Sequence, residues 1–386
     1  MKILVLNYEY PPLGGGAGVI TQHISEGLAK RGHHITVVTT WFKNTPEIEE
    51  QQNLKIIRLR SKRKYTYRSG IVEMLSWIRH SKQFLKTYCR ENIFDVCLAN
   101  FALPGGEVAL FLKKNFRIPY VVLSHGHDIP WFFAGEMFPY HAATYFRIKN
   151  ICKNATHIVL LTAEMKRNSD RFAGKGNSHK NVIIPNGCDT DFFKPDASKI
   201  STGFKIIFSG RLVNQKDPLT FIKALKTLKE KNIPFAAKII GDGILRPLLE
   251  KLIIKYTLQD KVVVTGWISK QQMLEEYQSA HVFVQSSLYE AMSVATLEAL
   301  ASGTYVICTP VGANKEIITE DITGDFFIPK SSSQLAEKLA AYYNNRFTQG
   351  YRPGRETSEL FRAGYDWKSI LIKYENLLSS CVSQKD

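Results

Sequence analysis

The stretch SSLYEAMSVATLEALASG, residues 286–303, carries two carboxylates eight positions apart, Glu290 and Glu298. Glu290 stands just before a helical pattern and Glu298 lies inside it. A helix start presents unpaired N–H groups and a positive dipole end, which attract an anion. Ser293 and Val294, at that start, are the candidate amide donors. Glu290 has no use for a phosphate, so it suits neutral hydroxyls, and Glu298 suits a diol such as ribose. Upstream, SGRLVNQKD places Arg211 just after a strand and Lys216 five residues on. The arginine fork and the lysine point charge together suit a diphosphate. Two cations and two carboxylates around an anion-seeking helix start describe a nucleotide-sugar site. The plainer reading is a surface Arg–Lys pair and two solvent-facing glutamates.

Two further motifs lie in the first half. YPPLGGGAG, residues 10–18, follows an apolar run and precedes a helical one. Glycines there let backbone amides approach a phosphate, and the next helix start favours an anion. A tight turn alone is the alternative. A dinucleotide site would also want a carboxylate at the end of the second strand. That strand ends in Thr39 and Thr40, which speaks against a dehydrogenase, and no G-K-[ST] follows, so a P-loop is excluded. SHGHD, residues 124–128, sets His125 and Asp128 directly after the apolar run YVVL. An imidazole there can exchange a hydrogen bond with a substrate hydroxyl. A capping aspartate beside an incidental histidine is the alternative.

These residues need a scaffold, and the chain supplies strands alternating with helices. KILVLN, HITVVTT, FDVCLAN, PYVVLSHG and ATHIVLLT form one series. FKIIFSGRL, FAAKIIGDG, KVVVTGW, HVFVQSS and TYVICTPVG form a second. Such alternation predicts parallel, doubly wound sheets. The turn-rich IIPNGCDTDFFKPDASKISTG between them reads as a linker. The expectation is an α/β protein of two facing Rossmann-like domains, residues 1–190 and 191–366, with a central cleft. Ligands of such sheets bind beyond the carboxyl ends of the strands.

A chain of 386 residues suits two domains, and 44% hydrophobic with 22% charged residues suits a globular one. The six cysteines are scattered without a C-x-x-C pair, as expected of reduced thiols in the cytoplasm rather than of disulfides or a zinc site. The opening MKILVLNYEYPP reads as a strand, not a signal peptide, and no run of about 18 apolar residues predicts a membrane span. Net charge is +16, and residues 1–190 hold 26 Lys and Arg against 14 Asp and Glu. KIIRLRSKRKYTYR, residues 55–68, concentrates that excess and suggests an anionic partner, a membrane surface or a nucleic acid, with a solvated loop as the alternative; the membrane surface is the reading kept, because the nucleotide-sugar motifs do not need a nucleic acid. No nucleic-acid partner is expected.

Together the motifs resemble the GT-B glycosyltransferases of the large retaining family 4, the glycogen synthase-like and mannosyltransferase-like group. The resemblance spans nearly the whole chain, from YPPLGGGAGV through SHGHD, IIPNGCDTDFF, GRLVNQKD and the paired glutamates to PVGANKEII and YDWKSILIKYENLL. It implies that Gly15, Gly16 and Gly18 face the donor phosphate and acceptor, and that His125 stands at the reacting face of the sugar. It implies Arg211 and Lys216 on the diphosphate, Glu290 on the hexose and Glu298 on the ribose, with Asp128, Ser293 and Val294 completing the donor site. A terminal helix, about 367–386, is expected to return to the first domain. The implied reaction moves a hexose from a nucleoside diphosphate sugar to a hydroxyl of a glycan or lipid-linked acceptor. It needs neither metal nor cofactor. Ala291 and Ser293 depart from the glycine, and the glycine or proline, frequent at those positions in the family. The aromatic stretch IPWFFAGEMFPY, residues 129–140, could touch an acceptor or pack a core. A phosphorylase or epimerase of the same fold, and a sugar- or lipid-binding protein without activity, are the alternatives.

Overall fold

The computed structural model describes residues 1–66, 69–130, 134–351 and 354–383. Chain contacts divide it into Met1–Asn186 with Lys368–Asp386, and Gly187–Trp367.

In the first unit β1 (Lys2–Leu6), β2 (His34–Thr40), β3 (Ile48–Gln51), β4 (Leu54–Leu59), β5 (Val96–Asn100), β6 (Tyr120–Leu123), β7 (His157–Leu160) and β8 (Asn181–Ile183) form one sheet. Their order is β3-β4-β2-β1-β5-β6-β7-β8. Every pair is parallel except β3 with β4. Ile3 to Leu6, Val96 to Ala99 and Tyr120 to Leu123 are fully buried, because helices cover both faces of a parallel sheet. The order reverses between β1 and β5, which makes their carboxyl ends the switch point. The helix Gly16–Lys30 buries Ile20, Ile24 and Leu28 at four-residue spacing.

The strand β4 overlaps the start of the run 55–68, where the sequence suggested only a basic segment, and β3 pairs with it from just upstream. The charge density hides the apolar pair Ile56 and Ile57, which are buried together with the following Arg58. Carboxylates from Glu47, Glu49 and Glu50 neutralise Arg60, Arg58 and Lys55.

In the second unit β9 (Lys205–Ser209), β10 (Ala236–Ile240), β11 (Val262–Gly266), β12 (Val282–Gln285), β13 (Tyr305–Cys308) and β14 (Gly324–Phe326) form a parallel sheet ordered β11-β10-β9-β12-β13-β14. Its switch point lies between β9 and β12. Phe208 and Phe221 stack 5.8 Å apart in the core.

The expected linker is built largely into this unit. Cys188, Thr190 and Phe193 are buried. Phe193 meets Tyr277 edge-on at 6.1 Å, and the Cys188 amide donates to the Tyr365 carbonyl at 2.7 Å. A buried phenylalanine outweighs the turn-forming residues around it. The division therefore falls after Asn186, rather than after residue 190.

The terminal helix Trp367–Ser383 serves the first unit from Lys368 on. Leu371 seats over Gly27, and Glu375 pairs with Arg31 and His33. Among the described residues no helix is long and apolar enough to cross a membrane. All six cysteines are free and buried.

Candidate active site

Three loops gather at the carboxyl ends of β9, β12 and β13. The Leu288 amide donates to the Gln215 carbonyl at 2.8 Å, and the Gln215 side-chain amide to the Tyr289 carbonyl at 3.2 Å. Ser286 Oγ donates to the Asp217 carbonyl at 2.7 Å. These bonds tie the loop after β9 to the loop after β12. From β13, Thr309 Oγ1 donates to the Ser287 carbonyl at 2.6 Å, and the Ala313 amide to the Ala291 carbonyl at 2.8 Å. Gly312 makes the last approach possible. Its φ is +52°, and a Cβ there would stand 1.9 Å from the Glu290 carbonyl oxygen.

This framework brings Lys216 and Glu290 into an ion pair, with side chains only 14% and 15% exposed. Arg211, five residues before Lys216, is exposed, and its guanidinium donates to Gln215 Oε1 at 3.3 Å. Ser293 caps the helix Val294–Ala301, its hydroxyl accepting from the Thr296 amide. That bond uses the hydroxyl only as an acceptor, so its proton can still be donated, whereas Val294 can offer a ligand only its backbone. Glu298 lies within the same helix and accepts from the Tyr277 hydroxyl at 3.3 Å. Burial pushes its carboxyl up to about 7, against the opposing pull of Tyr277 and the Lys270 charge. Burial, and then the Glu298 carboxylate, raise the Tyr277 hydroxyl, which stays a donor. The switch point thus offers cations for phosphate, a half-buried carboxylate on each side and a helix start.

In the first unit a polar network fills the switch point. Asn7 Nδ2 donates to Thr21 Oγ1 at 2.7 Å, and Thr21 Oγ1 to Asn100 Oδ1 at 2.8 Å. His125 Nε2 stands 3.0 Å from the same oxygen, with its ring 4.7 Å from that of Phe101. Burial drives the imidazole down to about 3, so it is neutral at ordinary pH. Asn100 is thus the anchor of His125, and sequence reasoning passed over it. A polar residue at the carboxyl end of a buried apolar run, as Asn7 after β1 and Asn100 in β5, is the signal for such an anchor.

Asp128 is placed otherwise than expected. One carboxylate oxygen accepts from the Ala102 amide at 2.8 Å, the other from Ser124 Oγ at 2.8 Å and the His125 amide at 3.1 Å. It holds the histidine loop in shape and turns neither oxygen to a ligand. The glycine loop also divides. Gly15 and Gly16 are exposed at the start of the helix. Gly18 is buried, and a Cβ there would lie 3.0 Å from the Leu13 carbonyl oxygen, so it is a packing position.

The basic run does not lie open as one face. Arg58 and Arg63 have side chains 5% and 1% exposed and pair with Glu49 and Glu9. Lys62 and Lys64 are exposed. Arg68, and Trp131 to Phe133 of the aromatic stretch, lie outside the described residues. Among the described residues no group of three or more His, Cys, Asp or Glu could hold a metal ion.

Two family models match consecutive parts of the chain. One, described as glycosyl transferases group 1, covers residues 189–356, and the other, glycosyltransferase family 4, covers residues 14–192. An uncharacterised glycosyltransferase of Methanocaldococcus jannaschii is 26% identical over 98% of this chain and 97% of its own. Among solved structures, sucrose-phosphate synthase from Thermosynechococcus elongatus superposes with a TM-score of 0.87 at 20% identity, covering all of both chains. Anabaena HepE in complex with UDP-glucose superposes at 0.76 and 19% identity, over 98% of this chain and all of the other.

Proposed function

The chain belongs to glycosyltransferase family 4, with the GT-B fold, and is a glycosyltransferase; from that premise we propose that it transfers a hexose, with retention, from a nucleoside diphosphate sugar to a hydroxyl of a glycan or lipid-linked acceptor. The observation that carries the reading is the set at the second switch point: Arg211, Lys216, Glu290, the helix start at Val294, and Glu298. It matches a donor group by group. The diphosphate takes Arg211, Lys216 and the helix amides. The hexose hydroxyls take Glu290, and the ribose diol takes Glu298. The complex of HepE with UDP-glucose supports a donor of this class.

In the reaction the bond from the anomeric carbon to the diphosphate oxygen breaks. The acceptor oxygen bonds to that carbon from the same face, and its proton passes to the leaving phosphate. Negative charge grows on the diphosphate as the bond breaks, where preoriented cations and amides lower the barrier most. No cofactor or metal takes part in this scheme. On the first unit, neutral His125 is a hydrogen-bonding group for acceptor hydroxyls, and Gly15 and Gly16 leave the backbone open at a helix start.

A melting screen with UDP-, GDP- and ADP-sugars tests the donor, because a ligand of the native state raises apparent stability. A shift with one of them, and turnover that persists in excess EDTA, is the expected result. The absence of any shift, or activity that EDTA abolishes and Mn²⁺ restores, overturns the assignment.

A further inference from the structure

The helix Ile71–Glu91 of the first unit buries Trp77, Ser81, Leu85 and Cys89, each four positions after the last. Its opposite stripe is Val72, Leu75, Arg79, Gln83, Lys86 and Arg90, at three- and four-residue spacing, and every member is exposed. Residues so spaced share one helix face. The first turn of this face is aliphatic, with Ile71, Val72 and Leu75 exposed to 62%, 64% and 59%. The rest of the stripe holds three cations, Arg79, Lys86 and Arg90, with the neutral Gln83 between them.

The segment before the helix adds to the same end. The Lys62 amide donates to Ser76 Oγ at 3.0 Å, and the Lys64 amide to Glu73 Oε1 at 2.7 Å. Two exposed lysines therefore flank the aliphatic turn. Large aliphatics grouped and exposed beside cations mark a contact surface.

The chemistry selects among partners. A nucleic acid would occupy the cations and leave the aliphatics in water. An anionic bilayer satisfies both, with aliphatic side chains entering the boundary between headgroups and acyl chains and cations meeting lipid phosphates. We propose that the Val72–Arg90 face, with Ile71, Lys62 and Lys64, docks the protein on an anionic membrane surface. The docking face is this helix rather than the whole basic run, because Arg58 and Arg63 are spent inside the fold.

Sedimentation with vesicles tests it, comparing phosphatidylglycerol mixed into phosphatidylcholine with phosphatidylcholine alone. The protein is expected to bind the anionic vesicles at low salt, to bind the neutral ones at least tenfold more weakly, and to be released by high salt. Arg79→Glu with Lys86→Glu should weaken partitioning by more than tenfold, since each cation near the surface is worth about fivefold. Val72→Ser with Leu75→Ser should weaken it on the order of tenfold. Lys30→Glu with Lys43→Glu makes the same charge change elsewhere on this unit and should leave binding nearly as it was. All three variants should keep the wild-type melting temperature and its shift with nucleotide sugar, which separates this test from that of the donor site. Equal recovery with neutral vesicles, no binding at low salt, or equal loss in the Lys30–Lys43 variant overturns the proposal. So does retention of duplex DNA that needs Arg79 and Lys86 while the serine variant still binds vesicles like wild type.

Discussion

Lys216 and Glu290 leave different strands of the second sheet, 74 positions apart, and meet in one ion pair. The two residues on which the donor reading leans hardest therefore hold each other. Each side chain is mostly buried, so removing one partner leaves a charge without compensation. Lys216→Ala and Glu290→Ala should each lower turnover by about two orders of magnitude, the loss typical of one transition-state donor. The double variant should fall well short of the product of the two, because coupled residues are not additive. Steady-state kinetics on the four proteins measures this. Strictly multiplicative losses would show that the pair does not act as a unit.

Glu298 gives the site a pH dependence. Its carboxyl titrates at about 7 in the folded chain, against an ordinary 4.5. An ionised carboxylate accepts from a ribose diol, so nucleoside diphosphate affinity should rise with pH up to about 7 and then level. Stability runs the other way. Between the two values the native state holds a proton that the unfolded state has lost, so stability falls as pH rises through that window. Glu298→Gln should flatten the binding profile. It should also gain stability relative to wild type above pH 7 and lose that gain below about 4.5. Calorimetry and melts across the range measure both, and parallel profiles for the two proteins would remove Glu298 from the ribose.

Gly312 sets how closely the third loop can approach. A methyl group there meets the Glu290 carbonyl at 1.9 Å, and the backbone is left-handed at φ +52°. Gly312→Ala should displace the Glu290 loop and weaken nucleotide-sugar binding more than free nucleoside diphosphate binding, since only the sugar reaches Glu290. Calorimetry with both ligands gives the ratio. An unchanged ratio would detach this glycine from the donor site.

Gly27 and Leu371 make the corresponding contact in the first unit. An added Cβ at Gly27 would stand 2.4 Å from Leu371 Cδ1. Gly27→Val should cost about 1–3 kcal/mol, the usual penalty of overpacking. Leu371→Ala in the same chain should restore part of it. Denaturant melts of the single and double variants measure the recovery.

The strands that build the two switch points were legible because each is an apolar run closed by turn-forming residues. Arg211, Lys216, Glu290 and Glu298 stand out in the sequence because each follows such a run or lies in a helix just beyond one. What escaped reading depends on partners distant in the chain. The pairing of Lys216 with Glu290 crosses 74 positions, and no local pattern announces it. Arg58 and Arg63 look like surface charge until Glu49 and Glu9 are seen beside them. Asp128 looks like a ligand group until the Ala102 amide, from a different strand's end, is found on its oxygen. The short β8 and β14 carry too few residues for any periodicity.

The first unit is discontinuous in the chain, since its last helix follows the whole of the second unit. During translation the second unit leaves the ribosome before the helix that seats over Gly27 and pairs with Arg31 and His33. Until residues 368–383 emerge, that side of the helix Gly16–Lys30 stays bare. Maturation therefore runs out of step with chain order: the second unit can close as an uninterrupted segment, while the unit made first waits for the segment made last. A premature stop anywhere between residues 187 and 367 leaves the same helix without its cover.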